Sequence, residues 1–196
     1  PSRTPMLPAN LNGRLLACAL GLMLALLAGC SERLEWRELK SPDGYSVMLP
    51  GRAQTVARDV EFEGQKLPVS MTSTGVGDAM FAVGVVQLPA AVAADAAARE
   101  RAIAHFRDGL VRNIGGTVTT SAPAALTLAP GSPHGVRAGQ SVEARGRAGA
   151  DGRSAALAAR FFIVDDRLFE VIALGGEGAI EQNALDTFFT SFRLQL

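Results

Sequence analysis

The sequence predicts a domain of the α+β class, in which an antiparallel sheet is combined with helices. Three observations carry this prediction. Segments in which apolar and polar residues alternate recur along the chain, as expected for strands with one buried face. The stretch from Asp95 to about Asn113 instead repeats its apolar residues at helical spacing. Two apolar runs, Phe161 to Val164 and Leu168 to Ile172, flank Asp165-Asp166 and predict an antiparallel hairpin.

The first half of the chain supplies a series of predicted strands. Ser41-Pro42-Asp43-Gly44 has the residues of a β-turn, because proline presets φ and glycine closes the corner. Alternation then predicts strands at 45–49, 56–62 and 67–72. Met80 to Val86 is apolar on both faces, so we expect it at the centre of the sheet.

A helix is predicted after these strands. Asp95 suits its N-cap, and Gly115-Gly116 suits its end. Its buried stripe is predicted to consist of Ile103, Phe106, Leu110 and Ile114. His105 lies two residues beyond Ile103, which is about 200° around the helix, so we expect the histidine in solvent.

The second half returns to strands. Short strands are predicted at 117–121 and 125–128, followed by long ones at 136–147 and 154–164. The apolar hairpin after them is expected to form the core of the sheet. A last amphipathic helix is predicted from Ile180 to Phe188, and Phe192 to Leu194 closes the chain as a strand.

The N-terminal stretch has the features of an export signal. Arg14 precedes the apolar run Leu15 to Gly29, and no acidic residue occurs before Glu32. The run is shorter than the roughly 20 residues that a membrane-spanning helix needs. Two other interpretations are an uncleaved anchor and an ordinary buried cysteine at Cys30. Met6 is a candidate initiator.

The end of this run resembles the lipobox of bacterial lipoproteins in all four residues, Leu27, Ala28, Gly29 and Cys30. The resemblance implies cleavage before Cys30, a diacylglycerol on its thiol and acylation of the new amino group. Ser31 stands where an aspartate favours retention in the inner membrane. The resemblance therefore implies attachment to the outer membrane at its periplasmic face, with the inner membrane as the less favoured location.

These features divide the chain into three parts: a cleaved signal peptide at 1–29, a lipidated cysteine with a short tether at 30–35, and one globular domain at 36–196. The five residues after Cys30 reach at most roughly 18 Å when extended. We therefore expect the domain to lie close to the lipid surface.

Composition excludes several functions. Loss of Arg3 and Arg14 with the signal leaves 17 basic and 19 acidic residues, a net charge of −2 that does not suit nucleic-acid binding. Cys30 is the sole cysteine of the mature chain, so no disulfide is expected. With two histidines, His105 and His134, and no cysteine beside them, the sequence lacks the ligand spacing of a zinc site.

No catalytic motif is found. Gly139-Gln140-Ser141-Val142-Glu143 and Gly152-Arg153-Ser154-Ala155-Ala156 both lack the final glycine of a nucleophile elbow. Gly75-Val76-Gly77 lacks the rest of a dinucleotide fingerprint. Asp165-Asp166 allows a paired-carboxylate site, but a hairpin turn explains both residues. We therefore expect no enzyme activity, no catalytic residue, no metal and no cofactor.

One charged cluster is a candidate binding site. Arg145, Arg147 and Arg153 gather at the tip of a predicted hairpin, and Arg137 shares a strand face with the first two. Such a patch suits anionic lipid headgroups or an acidic partner. The alternative is a solvated face that Glu143 and Asp151 partly balance.

Three segments resemble small bacterial proteins with a PsbP-like fold: the opening Ser41 to Pro50, the hairpin Leu157 to Leu174 with Phe169 in it, and the close Phe188 to Leu194. The resemblance implies an antiparallel sheet packed between helices, an α/β/α sandwich. Members of that family include an extrinsic photosystem II subunit and a nuclear import factor, which act by binding other proteins. The motifs mark the fold, so they carry no binding residue over to this chain.

The function expected first is that of a non-catalytic interaction domain, anchored in the envelope through the lipid on Cys30 and bound to an envelope protein. The alternative is a carrier of a small ligand or lipid. A carrier would have a pocket between sheet and helix, lined by Phe106, Leu110, Phe161 or Phe169. An unrecognised hydrolase is a weaker third interpretation.

Overall fold

The computed structural model describes residues 34–126, 128, 134–149 and 151–195, without the side chains of Arg137 and Ala148. The predicted signal peptide and the lipobox residues Leu27, Ala28, Gly29 and Cys30 lie outside the described residues. The part of the chain described forms ten strands and three helices. The strands are β1 Trp36–Ser41, β2 Tyr45–Pro50, β3 Gln54–Phe62, β4 Gln65–Val76, β5 Ala79–Gln87, β6 Thr117–Pro123, β7 Val136–Ala148, β8 Arg153–Val164, β9 Arg167–Gly176 and β10 Arg193–Leu194. The helices are α1 Ala90–Ala94, α2 Ala96–Asn113 and α3 Gln182–Ser191.

The strands form two antiparallel sheets. The larger has seven strands in the order β3-β4-β5-β9-β8-β7-β6, and the smaller has three in the order β1-β2-β10. Both faces of the seven-stranded sheet are buried at its centre. The helix α2 contributes to the core on one face, and the small sheet with α3 contributes to the core on the other.

The expected α+β class, with its α/β/α sandwich, is wrong, because the domain is mostly β and consists largely of two antiparallel sheets. A three-stranded sheet occupies much of the face where the sandwich would place a helical layer. Its first strand, Trp36–Ser41, was missed at the sequence level because Arg37, Glu38 and Lys40 leave it mostly exposed, without a clear apolar alternation. Its third strand, Arg193–Leu194, lies within the closing strand predicted at Phe192 to Leu194.

The core on the α2 face follows from the predicted helix. The side chain of Asp95 caps its start by accepting a hydrogen bond from the backbone N–H of Ala98 at 2.7 Å. Helical spacing then buries Ala102, Ile103 and Phe106 against the sheet. His105 is half-buried rather than solvated. Its ring lies edge-on to Phe62, with 5.2 Å between centroids, because the end of β3 reaches the helix.

The second core lies beneath the small sheet. Strand β2 buries Tyr45, Val47 and Leu49, and α3 buries Phe188 against Phe81 with ring centroids 5.2 Å apart. Residues 193–195 pair with this layer and complete the small sheet. Strand β10 pairs with Ser46 and Tyr45, and the backbone N–H of Gln195 donates to the carbonyl of Gly44 at 2.8 Å.

Several local predictions are confirmed. Strands β8 and β9 form the apolar hairpin at the interior of the sheet, with Phe161, Phe162, Leu168 and Phe169 buried. Asp165 takes the left-handed conformation at its turn, with φ of 53°. The strand predicted at 125–128 is wrong for its described residues, which are irregular.

Residues 34–196 form one compact unit that contains both cores. A unit with its own hydrophobic cores is expected to fold independently. No helix in the described ranges combines the length and apolar character needed to cross a bilayer.

Candidate ligand pocket between helix and sheet

A pocket of about 250 Å³ lies between the C-terminal turn of α2 and the face of the seven-stranded sheet. Its walls are mostly apolar side chains: Met71, Ala82, Leu110, Leu157, Ile172 and Leu174. The gap between helix and sheet stays open here because Ala82 has a small side chain and Leu110 is only half-buried. The pocket therefore suits an apolar ligand or an apolar part of one.

The rim of this pocket carries apolar side chains that water reaches. Val56 on β3 is 61% exposed and Met80 on β5 is 37% exposed, an unusual exposure for large hydrophobic residues in one place. The rim also includes the polar Ser73 and Asn113, together with Arg58 as a positive charge. The rim can thus contact both apolar and anionic groups.

A buried carboxyl group lies behind the wall of the pocket. Glu170 on β9 is only 3% exposed, although it stands between Leu168 and Ile172 in the core. Burial raises the pKa of Glu170 to about 7, and the charge of Arg58 opposes part of that rise. Its Oε1 atom has no hydrogen-bond partner among the described residues. The carboxyl group is therefore an unsatisfied acceptor in apolar surroundings.

The start of the described domain lies at the same end of the sheet as the rim. The ring of Trp36 packs edge-on against Phe81, with 6.0 Å between centroids. Phe81 follows Met80 directly in β5, although their side chains point to opposite faces of the sheet. Trp36, the first residue of β1, therefore lies at the end of the domain that carries the rim, but on the opposite face of the sheet.

The structure brings the predicted arginine cluster together, but acidic side chains lie beside two of its arginines. Arg145 pairs with Glu177, and the guanidinium of Arg153 lies 2.7 Å from Asp151 and 3.4 Å from Asp78. A nitrogen of Arg147 donates to the carbonyl of Gly152 at 3.4 Å. The side chain of Arg137 lies outside the described atoms. The network has as many carboxylates as guanidinium groups, which favours the interpretation of a balanced solvated face.

The pairing in this network could not be foreseen from one strand. Alternation along β7 placed Arg145 and Arg147 on one side, as found. Asp78 belongs to the β4–β5 turn, and Glu177 follows β9, so both reach the tip of the β7–β8 hairpin only in the folded sheet. The binding role of this patch stays a prediction.

A histidine and an aspartate meet at the opposite end of the sheet. The Nδ1 atom of His134 lies 2.5 Å from Oδ2 of Asp165, and the backbone N–H of Gly135 donates to Oδ1 at 3.2 Å. This pairing holds residues 134–135 against the β8–β9 turn. The two partners are 31 positions apart in the chain, so no local sequence pattern indicates their contact.

No group of three or more His, Cys, Asp and Glu side chains is arranged for a metal ion in the described residues. Leu110 is the one member of the expected pocket lining that does line the pocket. Phe106, Phe161 and Phe169 are buried in the cores instead. Sequence reasoning missed Arg58 and Met71, which come from strands far from the helix. It also missed Glu170, whose signal was a charge inside an apolar run.

Comparison with known proteins adds little. No family model matches the chain, and no curated protein matches it. Among solved structures, it is similar to protein PA94 from Pseudomonas aeruginosa, a protein of unknown function described as a candidate regulator. That match has 9% sequence identity and a TM-score of 0.38, and it covers 73% of this chain and 84% of PA94. A similarity at this level carries no argument about fold or function.

Proposed function

We propose that this chain is a lipid-anchored, non-catalytic carrier of the cell envelope, which binds a small apolar or amphiphilic molecule in the pocket between α2 and the sheet. The observation that carries the proposal is the pocket itself, with its apolar walls and its exposed Val56 and Met80. Its volume of about 250 Å³ is slightly below the roughly 300–1,000 Å³ of common small-molecule sites. The ligand is therefore a small molecule or the end of one acyl chain rather than a whole lipid.

The second support is the position of the pocket relative to the proposed anchor. Lipidation at Cys30 would hold the domain at the periplasmic face of the outer membrane. A tether of five residues spans at most roughly 18 Å, and Trp36 lies at the end of the sheet that carries the pocket rim. The apolar rim and the charge of Arg58 would then lie near the bilayer surface, where an amphiphilic ligand is found.

Native mass spectrometry of the domain without its lipid tests the carrier role. The wild-type domain is expected to retain a small molecule of constant mass from the cell. Leu110→Trp fills the pocket and is expected to abolish this retention. Val118→Trp places the same ring on the exposed strand β6 and should leave the ligand bound. Retention of the same mass by Leu110→Trp would contradict the proposal.

The anchor is tested separately in growing cells. A tagged fatty acid is expected to label the wild type, which should sediment with the envelope. Cys30→Ala is expected to lose the label, keep its signal peptide and change its apparent mass. Identical labelling and sedimentation of the two proteins would show that Cys30 is not lipidated.

The interaction role expected first from the sequence stays a prediction. Crosslinking in intact cells distinguishes it from the carrier role. Attachment to one specific envelope protein, in both the wild type and Leu110→Trp, would favour an interaction domain that does not use the pocket.

A further inference from the structure

We propose that Glu170 is the polar end of this pocket and that it binds a hydroxyl group at the leading end of a short apolar ligand, once the side chain of Met71 moves aside. The inference rests on the carrier function proposed above. It assigns the chemical class of the ligand, an aliphatic alcohol or an apolar molecule that carries one.

A single row of residues leads from solvent to Glu170. The antiparallel register pairs Val56 with Met71, Met71 with Gly84, and Gly84 with Glu170. Residues that are directly opposite in neighbouring strands project from the same face of the sheet. The row therefore crosses four strands on the α2 face, over about 14 Å at the usual strand spacing. It begins at the exposed rim and ends at the buried carboxyl group, beyond which Phe161 is the next residue of the row.

The third residue of this row is a glycine, so no side chain covers the backbone there. Gly84 has no side chain, and a Cβ there would lie 2.8 Å from Oε2 of Glu170 and 3.0 Å from Cε of Met71. The carboxyl group and the methionine methyl thus share the space above Gly84. Met71 also lines the pocket, so its side chain reaches both the pocket and the space above Gly84.

Met71 is suited to act as a movable wall. Methionine is unbranched and has three rotatable bonds, so it changes conformation at little cost compared with branched core residues. Met71 is also only half-buried. Rotation of its side chain toward the pocket joins the space above Gly84 to the existing cavity and brings a ligand to Glu170.

The carboxyl group of Glu170 determines what the ligand must offer. Its Oε1 atom lacks a partner among the described residues, and an unpaired buried acceptor gains most from a new donor. Both hydroxyl and ammonium groups are donors. Arg58 lies at the rim as a positive charge, so a cation would have to pass a like charge, whereas a neutral hydroxyl group would not. We therefore expect alcohols to bind in preference to amines.

Two isomeric probes test the inference: hexanol, which has a hydroxyl donor, and methyl pentyl ether, which has the same atoms and no donor. Each is titrated at pH 8.5, above the pKa of about 7 of Glu170, where the carboxylate accepts hydrogen bonds and cannot donate one. The titrations use the signal-free domain, which contains both cores, while the methyl resonance of Met71 is followed by NMR. Hexanol is expected to bind about tenfold more tightly, the discrimination expected of one hydrogen bond to a buried unpaired group. The Met71 resonance should shift on binding.

Substitutions identify the group responsible. Glu170→Leu should remove the preference for hexanol, while both probes still bind. Glu170→Gln adds an amide N–H that can donate to the ether oxygen, so its preference for hexanol should be smaller than that of the wild type. Glu143→Leu makes the same change at an exposed glutamate and should leave the preference unaltered.

The possible failures are distinguishable. Equal binding of the two isomers to the wild type, with binding lost in Leu110→Trp, would overturn the role of Glu170 and leave the carrier function in place. A preference for hexanol that persists in Glu170→Leu would also overturn it. Absence of binding of either probe to the wild type, together with no retained molecule in the mass spectra, would overturn both proposals.

Discussion

Gly84 and Glu170 lie opposite each other in the β5–β9 ladder, and the carboxyl group of Glu170 occupies the space that a side chain at position 84 would need. The two residues are therefore coupled: a glutamate is accommodated in the core because its neighbour has no side chain. This relationship gives the first two predictions.

Gly84→Ala is expected to destabilise the domain by about 1–3 kcal/mol, the usual cost of overpacking a core. The new methyl group would lie 2.8 Å from Oε2 of Glu170 and 3.0 Å from Cε of Met71, so the buried carboxyl group would have to shift to make room. The free energy of unfolding, measured by urea denaturation, checks this. Gly75→Ala is the matched control, because its nearest atom is 3.8 Å away.

A double-mutant cycle shows whether Glu170 causes the clash. Glu170→Ala removes the carboxyl group, so the substitution at Gly84 should cost at least about 1 kcal/mol less in that background. An equal cost in both backgrounds would show that the strain arises elsewhere.

Glu170 is expected to make stability depend on pH. Its pKa is raised from 4.5 to about 7 in the folded domain, so between these values the folded state holds the proton more tightly than the unfolded state. Stability from this group is fully present below about pH 4.5 and is lost as pH rises through about 7. The loss is about 3 kcal/mol in all.

The comparison with Glu170→Gln isolates this contribution from the other carboxylates. Between pH 4.5 and pH 8, the unfolding free energy of the wild type should fall by about 3 kcal/mol relative to that of Glu170→Gln. Glu143→Gln, at an exposed position, should track the wild type at every pH. A difference that stays constant with pH would show that the pKa of Glu170 is not raised.

The capping side chain of Asp95 is expected to stabilise α2. Asp95→Ala leaves the N–H of Ala98 without its 2.7 Å partner, and loss of such a cap costs about 1 kcal/mol. Thermal unfolding checks this. Asp95→Asn keeps an oxygen acceptor and should retain most of the stability, so equal losses in the two variants would argue against a capping role.

Arg160 is expected to hold α3 on the sheet. Its guanidinium group lies 4.5 Å from the centroid of the Phe189 ring, and its pKa is lowered by burial. Arg160→Met keeps the apolar stem and removes the cation, which should cost about 1 kcal/mol. In a double-mutant cycle with Phe189→Leu, the two losses should not add, and full additivity would contradict a contact between cation and ring.

Local structure could be predicted from the sequence wherever one face of an element is buried. Alternation placed β2, β3, β4, β7 and β8 within a few residues, and helical spacing placed α2, because these patterns arise from a single buried face. Strand β5 and the strand pair around Asp165-Asp166 were recognised instead from continuous apolar runs, because both of their faces are buried. Strand β2 and the closing strand of the small sheet were predicted, but the sheet itself was not, because β1 is largely exposed and lacks a clear alternation.

The candidate site depends on relationships that no single segment contains. Val56, Met71, Gly84 and Glu170 come from four strands, and they form a row only when the register of all three ladders is known. Glu170 was visible in the sequence as a charge within an apolar run. Its meaning required Gly84 opposite it and Met71 beside it.

The pairing of β10 with β2 has a consequence for biosynthesis. The hydroxyl oxygen of Ser191 accepts from the backbone N–H of Met48, a partner that is synthesised 143 residues earlier. Until residues 191–195 emerge from the ribosome, β1 and β2 form only a two-stranded ribbon, which is marginally stable in water. The nascent chain therefore cannot complete this layer before residues 191–195 have been synthesised.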